Sequence, residues 1–215
     1  MERTERNRAE STLRQRMGGA ATHAEACRRL GGREELRRAL STGTLVNLWP
    51  GVVVLAEEVD DPATRARAAL LRAGPEAVLS GLTALAVHGC RAALSRVTYV
   101  TVPYHRQVRR APGLVVRQNG VREGEVVELD GLPTQVLDLA LTEVLCTAEE
   151  QRAVSCLRQV ASLPSGTEGL WALVEQRLRV RRDRRGTRRA RALLRTVPGV
   201  LRRHARPAEH PDSSR

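Results

Sequence analysis

The 215-residue sequence has no lysine and no phenylalanine, and its aromatics are limited to two tyrosines and two tryptophans. All 36 basic residues are arginine. The missing lysine has chemical consequences. A P-loop sets a lysine against nucleotide phosphates, pyridoxal enzymes and Schiff-base aldolases use its amine, and restriction-type nucleases place one beside their metal-binding carboxylates. None of these mechanisms is available in its usual form. The missing phenylalanine leaves Leu, Val and Ala to build an aliphatic core. No run of 18 apolar residues occurs, and the first 20 residues are polar and arginine-rich. Neither a membrane span nor a secretory signal is expected, and the chain is read as cytoplasmic. Cys27, Cys90, Cys146 and Cys156 are far apart, with no C-x-x-C pair and no clustered histidine. They read as ordinary buried or half-buried thiols, with no metal and no cofactor expected.

Positive charge is in excess and unevenly placed. The net charge is +12. Residues 1–50 hold ten arginines against six acids, residues 51–150 ten against thirteen, and residues 151–215 sixteen against five. Two basic ends flanking a slightly acidic middle imply different partners for different parts.

The stretch from Thr22 to Glu57 has the outline of a winged helix-turn-helix. Thr22-His23-Ala24-Glu25 has capping-box spacing, so a helix is predicted from His23 to the Gly31-Gly32 stop. Arg33 to Ser41 forms a second helix, with Leu36, Ala39 and Leu40 inward and Glu34, Arg37, Arg38 and Ser41 outward. Thr44 to Leu48 and Val52 to Ala56 are β-formers around a Trp49-Pro50-Gly51 turn. Such a module sets its second helix in a major groove while the hairpin reaches the flanking backbone. Arg33, Arg37, Arg38 and Ser41 are then the groove residues, and Asn47 and Trp49 meet the backbone or minor groove. Glu34 and Glu35 oppose phosphate, but Arg28, Arg29, Arg33, Arg37 and Arg38 outnumber them.

The remainder reads as α+β: a small mixed sheet with packed helices, then a helical C-terminal region. Residues 1–20 are expected to be a flexible arm, residues 21–58 the winged helix-turn-helix, residues 59–200 the α+β part, and residues 201–215 a disordered tail. Asp61-Pro62 starts a helix ending at Gly74-Pro75, and Ser80 is expected to cap another that stops at Gly89. Short strands are predicted from Arg96 to Val102, Leu114 to Arg117, Val126 to Leu129 and Leu132 to Val136, with Asp130-Gly131 as a turn. Helices follow from Leu137, over Glu149 to Ala161, over Gly169 to Leu178, and over Asp183 to Val197. Arg181, Arg182, Arg184, Arg185, Arg188 and Arg189 crowd the start of the last and form a candidate surface for an acidic partner or more nucleic acid. Two other readings stay open: a protein-interaction module whose helix-turn-helix is only a scaffold, and a nuclease using Asp130, Asp138 and Glu143, which lacks the usual lysine.

The order of these pieces resembles the AbiEi-type antitoxin-like proteins of type IV toxin-antitoxin systems, in the form found in GC-rich actinobacteria. The likeness is carried by Leu36-Arg37-Arg38-Ala39-Leu40, Trp49-Pro50-Gly51-Val52, Ala77-Val78-Leu79-Ser80, Val100-Thr101-Val102-Pro103, Asp130-Gly131-Leu132-Pro133-Thr134, Leu137-Asp138-Leu139-Ala140 and Arg185-Gly186-Thr187-Arg188-Arg189-Ala190. It spans roughly residues 20–200. The resemblance implies a winged helix-turn-helix that binds promoter double-stranded DNA and a C-terminal part that acts on a nucleotidyltransferase toxin; the missing lysine separately leads to the expectation that the chain is not an enzyme. Many relatives continue past the equivalent of Val197-Pro198-Gly199-Val200 into a very-short-patch-repair-like nuclease domain. That domain is expected to be absent here, in keeping with the missing lysine. Val53 stands where the wing usually has an aromatic, and Glu34 and Glu35 where more basic or polar residues are common.

Overall fold

Thr22 fixes where the first helix begins. Its hydroxyl accepts the Glu25 amide at 3.2 Å, and the Glu25 carboxylate accepts the Thr22 amide at 2.9 Å. Two orphan donors at the helix start are thus satisfied together. The computed structural model describes residue 15 and residues 17–164 and 168–196. In it α1 spans His23–Leu30 and stops at Gly31, whose φ of 94° is cheap only for a residue without Cβ. Helix α2 (Arg33–Ser41) follows, then a hairpin of β2 (Leu45–Trp49) and β3 (Val52–Leu55). A two-residue strand that the sequence pattern did not reveal, here β1 (Ala21–Thr22), pairs antiparallel with β3 and completes a sheet of order β1-β3-β2.

Asp61 caps α3 (Pro62–Ala73) by accepting the Thr64 amide at 2.7 Å, with proline at the first helical position. Next come β4 (Val78–Leu79), α4 (Gly81–Val87), β5 (Thr98–Val102), β6 (Leu114–Gln118), β7 (Val126–Leu129) and β8 (Leu132–Gln135). The five strands form one sheet of order β6-β5-β4-β8-β7. It is mixed: β4 runs antiparallel to β5 and parallel to β8, and β5 runs parallel to β6. The β7–β8 hairpin turns at Asp130, which adopts φ 51°. Helices α5 (Leu137–Thr147), α6 (Glu150–Ser162), α7 (Glu168–Val180) and α8 (Thr187–Thr196) complete the α+β fold.

Strand β3 is buried along its whole length, and its alternating side chains serve two cores. Val53 and Leu55 pack with Ala26, Leu36 and Leu45 under the helix-turn-helix. Val52 and Val54 pack with Trp49 against Ala66 and Ala69 of α3 and Leu79, Val100 and Val102 of the large sheet. The wing is therefore rooted in the α+β part. A third cluster gathers α4 to α8 around Leu85, Leu141, Leu145, Leu157, Trp171 and Leu178.

Four expectations change in detail. The arm is anchored at its end, because Met17 is fully buried and Ala20 nearly so; residues 1–14 lie outside the described residues. Ser80 stands at the start of α4 without capping it, and its hydroxyl has no partner among the described residues. The Gln135 side chain accepts the Gly81 amide at 3.1 Å instead. The strand expected from Arg96 begins at Thr98, since the Ser95 hydroxyl takes the Val97 amide at 3.0 Å. Helix α8 starts at Thr187, not Asp183: the Asp183 carboxylate accepts the Arg185 amide at 3.0 Å in a turn, and Gly186 follows with φ 71°. A Cβ at Gly186 would collide with the Cys146 carbonyl, so glycine lets this loop close onto the end of α5. The expected end of that helix at Val197 and the tail at 201–215 lie outside the described residues.

Candidate nucleic-acid interface

Helix α2 buries Leu36 and leaves Arg33, Glu34, Glu35, Arg37, Arg38 and Ser41 exposed. The i, i+3 spacing brings each glutamate against an arginine one turn on. Glu34 pairs closely with Arg37, and Glu35 pairs with Arg38 at 3.0 Å. The Ser41 hydroxyl donates to the Arg38 carbonyl at 2.9 Å. Arg33 is exposed with no side-chain partner among the described residues, while Arg28, in the last turn of α1, is exposed and interacts electrostatically with the Glu25 carboxylate. The face is basic, but two of its guanidiniums are held by neighbouring carboxylates.

On the wing, Asn47 is exposed and its Oδ1 lies 2.6 Å from His23 Nε2. This contact ties the first helix to β2. His23 was missed in the sequence, because only the fold brings positions 23 and 47 together.

Trp49 is not a surface contact. It is 2% exposed, its indole N–H donates to the Pro112 carbonyl at 2.9 Å, and the Arg65 guanidinium lies 5.4 Å from its ring centre. Sequence reasoning put Trp49 in an exposed turn; it is the last residue of β2, where the pleat turns it into the core. Arg65, on α3, is itself buried, donating to the Val59 and Arg96 carbonyls at 3.0 and 2.7 Å. Desolvation lowers its pKa. Together Trp49 and Arg65 rivet the wing to the α+β part.

The arginine-rich segment divides in two. Arg189 belongs to the interior: it donates to the Leu145 and Ala148 carbonyls at 3.2 and 2.7 Å and so caps the end of α5. Arg181 is half-buried, donates to the Asp183 carbonyl at 2.8 Å and faces its carboxylate at 3.7 Å. Arg184 is exposed and donates to the Arg179 carbonyl at 3.1 Å. Arg182, Arg185 and Arg188 are exposed and have no side-chain partner among the described residues.

The acids considered for metal chemistry do not converge. Asp138 is nearly buried and closely paired with Arg177, which also meets Glu125 at 2.7 Å. Burial alone would lower the Arg177 pKa, but the two carboxylates outweigh it and raise the value. Glu143 pairs closely with Arg117, and Asp130 is the exposed turn residue. Among the described residues no group of three or more His, Cys, Asp or Glu side chains is placed to hold a metal ion. The four cysteines are free thiols; Cys90, Cys146 and Cys156 are buried and Cys27 half-buried. Among the described residues no helix is long and apolar enough to cross a membrane.

The fold is thus that of an α+β protein with an N-terminal winged helix-turn-helix. A likeness to a solved structure exists at this level: the RV2827C protein from Mycobacterium tuberculosis aligns with a TM-score of 0.55 and 19% identity, over 93% of this chain and 79% of that one. At that identity the likeness bears on the fold alone. Neither a protein-family model nor a curated protein matches the chain.

Proposed function

We propose that the protein is a DNA-binding transcriptional regulator of the type IV antitoxin-like kind. Its α2 face would enter the major groove of promoter DNA and its hairpin would follow the backbone, with a nucleotidyltransferase toxin as second partner. The observation that carries this reading is the exposed α2 face: Arg33, Arg37, Arg38 and Ser41 lie open to solvent beside a wing whose root is fixed by Trp49. Arginine is the side chain suited to guanine edges and to phosphate. Asn47 on β2 is the polar wing residue available for backbone contact.

One observation favours the other reading, that of a protein-interaction module: Glu34 and Glu35 already occupy Arg37 and Arg38. Fluorescence anisotropy on DNA from the chain's own upstream region, against a scrambled duplex, separates the two. Specific binding exceeds non-specific by about 10³-fold or more. The regulator reading expects that margin, and expects Arg37→Ala with Arg38→Ala to erase it. Equal, weak binding of both duplexes overturns it, and the exposed Arg182, Arg185 and Arg188 then become the first surface to test against a protein partner.

A further inference from the structure

A cleft of about 260 Å³ opens at the seam between the two larger hydrophobic clusters. It exists because alanines meet where larger residues would fill the gap. Ala63 lines it from the first turn of α3, Ala86 from the last turn of α4, and Ala93 from the short helical turn before β5. The chain has no phenylalanine to close such a gap. Leu132 and Leu94 supply further apolar wall, and Leu94 is 44% exposed. The volume lies just below the range of about 300–1,000 Å³ usual for ligand pockets, which points to a small ligand.

The polar groups of the cleft are mostly donors. The Thr83 hydroxyl oxygen accepts the Tyr99 amide at 2.9 Å, and the Ser95 hydroxyl oxygen accepts the Val97 amide at 3.0 Å. Each therefore keeps its own O–H proton to donate. Arg67 is exposed and has no partner among the described residues. Arg65, only 8% exposed, lines the same cleft, but its unpartnered Nε is itself shut off from solvent. The opposing charge is Asp130, exposed in the β7–β8 turn. Surplus donors beside an apolar wall fit a ligand with a small apolar body and an anionic, acceptor-only head.

We propose that this cleft is a binding site for a small carboxylate of that shape, its head group held by Arg67 with the Thr83 and Ser95 hydroxyls. The site stands apart from the DNA-binding reading, although it shares Arg65 with the root of the wing.

The test is a titration of the full chain with benzoate, followed by ¹⁵N–¹H NMR, with benzamide as neutral isostere and benzamidine as cation. Benzoate should shift amides in residues 63–67, 83–87 and 93–98. Its affinity should exceed that of benzamide roughly tenfold or more, as loss of one charge-assisted hydrogen bond implies. Arg67→Gln should remove that advantage, and Asp130→Asn should tighten benzoate binding. Ala63 is exposed, so Ala63→Leu should block the cleft without unfolding the chain. The proposal is overturned if benzoate and benzamide bind equally, if benzamidine is preferred, if Arg67→Gln changes nothing, if the shifts fall on residues 182–188, or if no shift appears up to the solubility limit.

Discussion

If α2 enters DNA, freeing its arginines should strengthen binding in a way that salt reveals. The perturbation is Glu34→Gln with Glu35→Gln. The glutamate side chains are 69% and 48% exposed and their arginine partners 71% and 63%. Exposed pairs at this spacing contribute only ~0.2–0.5 kcal/mol each, and glutamine is nearly as good a helix former as glutamate. Both acids sit in the first turn of α2, where loss of their favourable interaction with the helix dipole costs a further ~0.3–1 kcal/mol apiece. The fold should survive. On DNA, each arginine released to a phosphate adds about 0.9 to the slope of log affinity against log salt, so two add about 1.8. Between 200 and 50 mM salt that amounts to roughly a further tenfold gain over the unaltered chain. Anisotropy across a salt series, with a thermal melt as the folding control, reads both quantities. A double variant that melts normally but keeps the original slope and affinity refutes the placement of Arg37 and Arg38 against DNA.

Other perturbations test the fold that carries this face. Trp49→Ala removes a buried indole and the bond to the Pro112 carbonyl, and should cost about 3–5 kcal/mol in urea unfolding; a loss under about 1 kcal/mol would show that Trp49 does not root the wing. Hydrogen bonds to the backbone and hydroxyl of Thr22 hold the Glu25 carboxyl below the usual carboxylate range. Its contribution is therefore present above the unfolded pKa of about 4.3 and fades as pH falls through the lower folded value. Glu25→Ala should cost about 1 kcal/mol at pH 7 and visibly less in a urea titration near pH 3, and an unchanged difference counts against the capping box. Arg177→Met strips the counter-charge from Asp138 and Glu125, for a loss of about 3–5 kcal/mol. Adding Asp138→Leu should recover part of it, and no recovery would mean that the stranded carboxylate is not the cause. Gly186→Ala should lower the thermal midpoint by forcing the 181–186 loop off the Cys146 carbonyl, and an unchanged midpoint would show that the loop yields freely.

What could be read in the sequence follows how local each signal is. Thr22 and Glu25, three residues apart, determine a helix start through their own backbone, and the structure has that start where the spacing put it. The Asp61-Pro62 start and the Asp130-Gly131 turn are equally local. Strand β1 escaped because two residues carry no period; Ala21 is a strand residue only because Val53 lies opposite it. Arginine carries the least local signal. Position alone does not separate Arg188, exposed and unpartnered, from Arg189 beside it, which caps α5 through two carbonyls 41 and 44 residues away.

In a chain without lysine, arginine must serve both as surface charge and as the internal donor to buried carbonyls and carboxylates. Arg65, Arg117, Arg177 and Arg189 are of the second kind. A guanidinium suits this use because it stays charged when desolvated and has five donors to place. The +12 net charge therefore overstates what is free to meet an anion. Once the internal arginines and the Glu34 and Glu35 pairs are set aside, the uncommitted charge on α2 among the described residues rests on Arg33, and that of the 181–191 segment on Arg182, Arg185 and Arg188. The anion-binding capacity of α2 is thus conditional on its own glutamates. If α2 enters DNA, its share of the affinity should therefore depend on Glu34 and Glu35 as well as on its arginines.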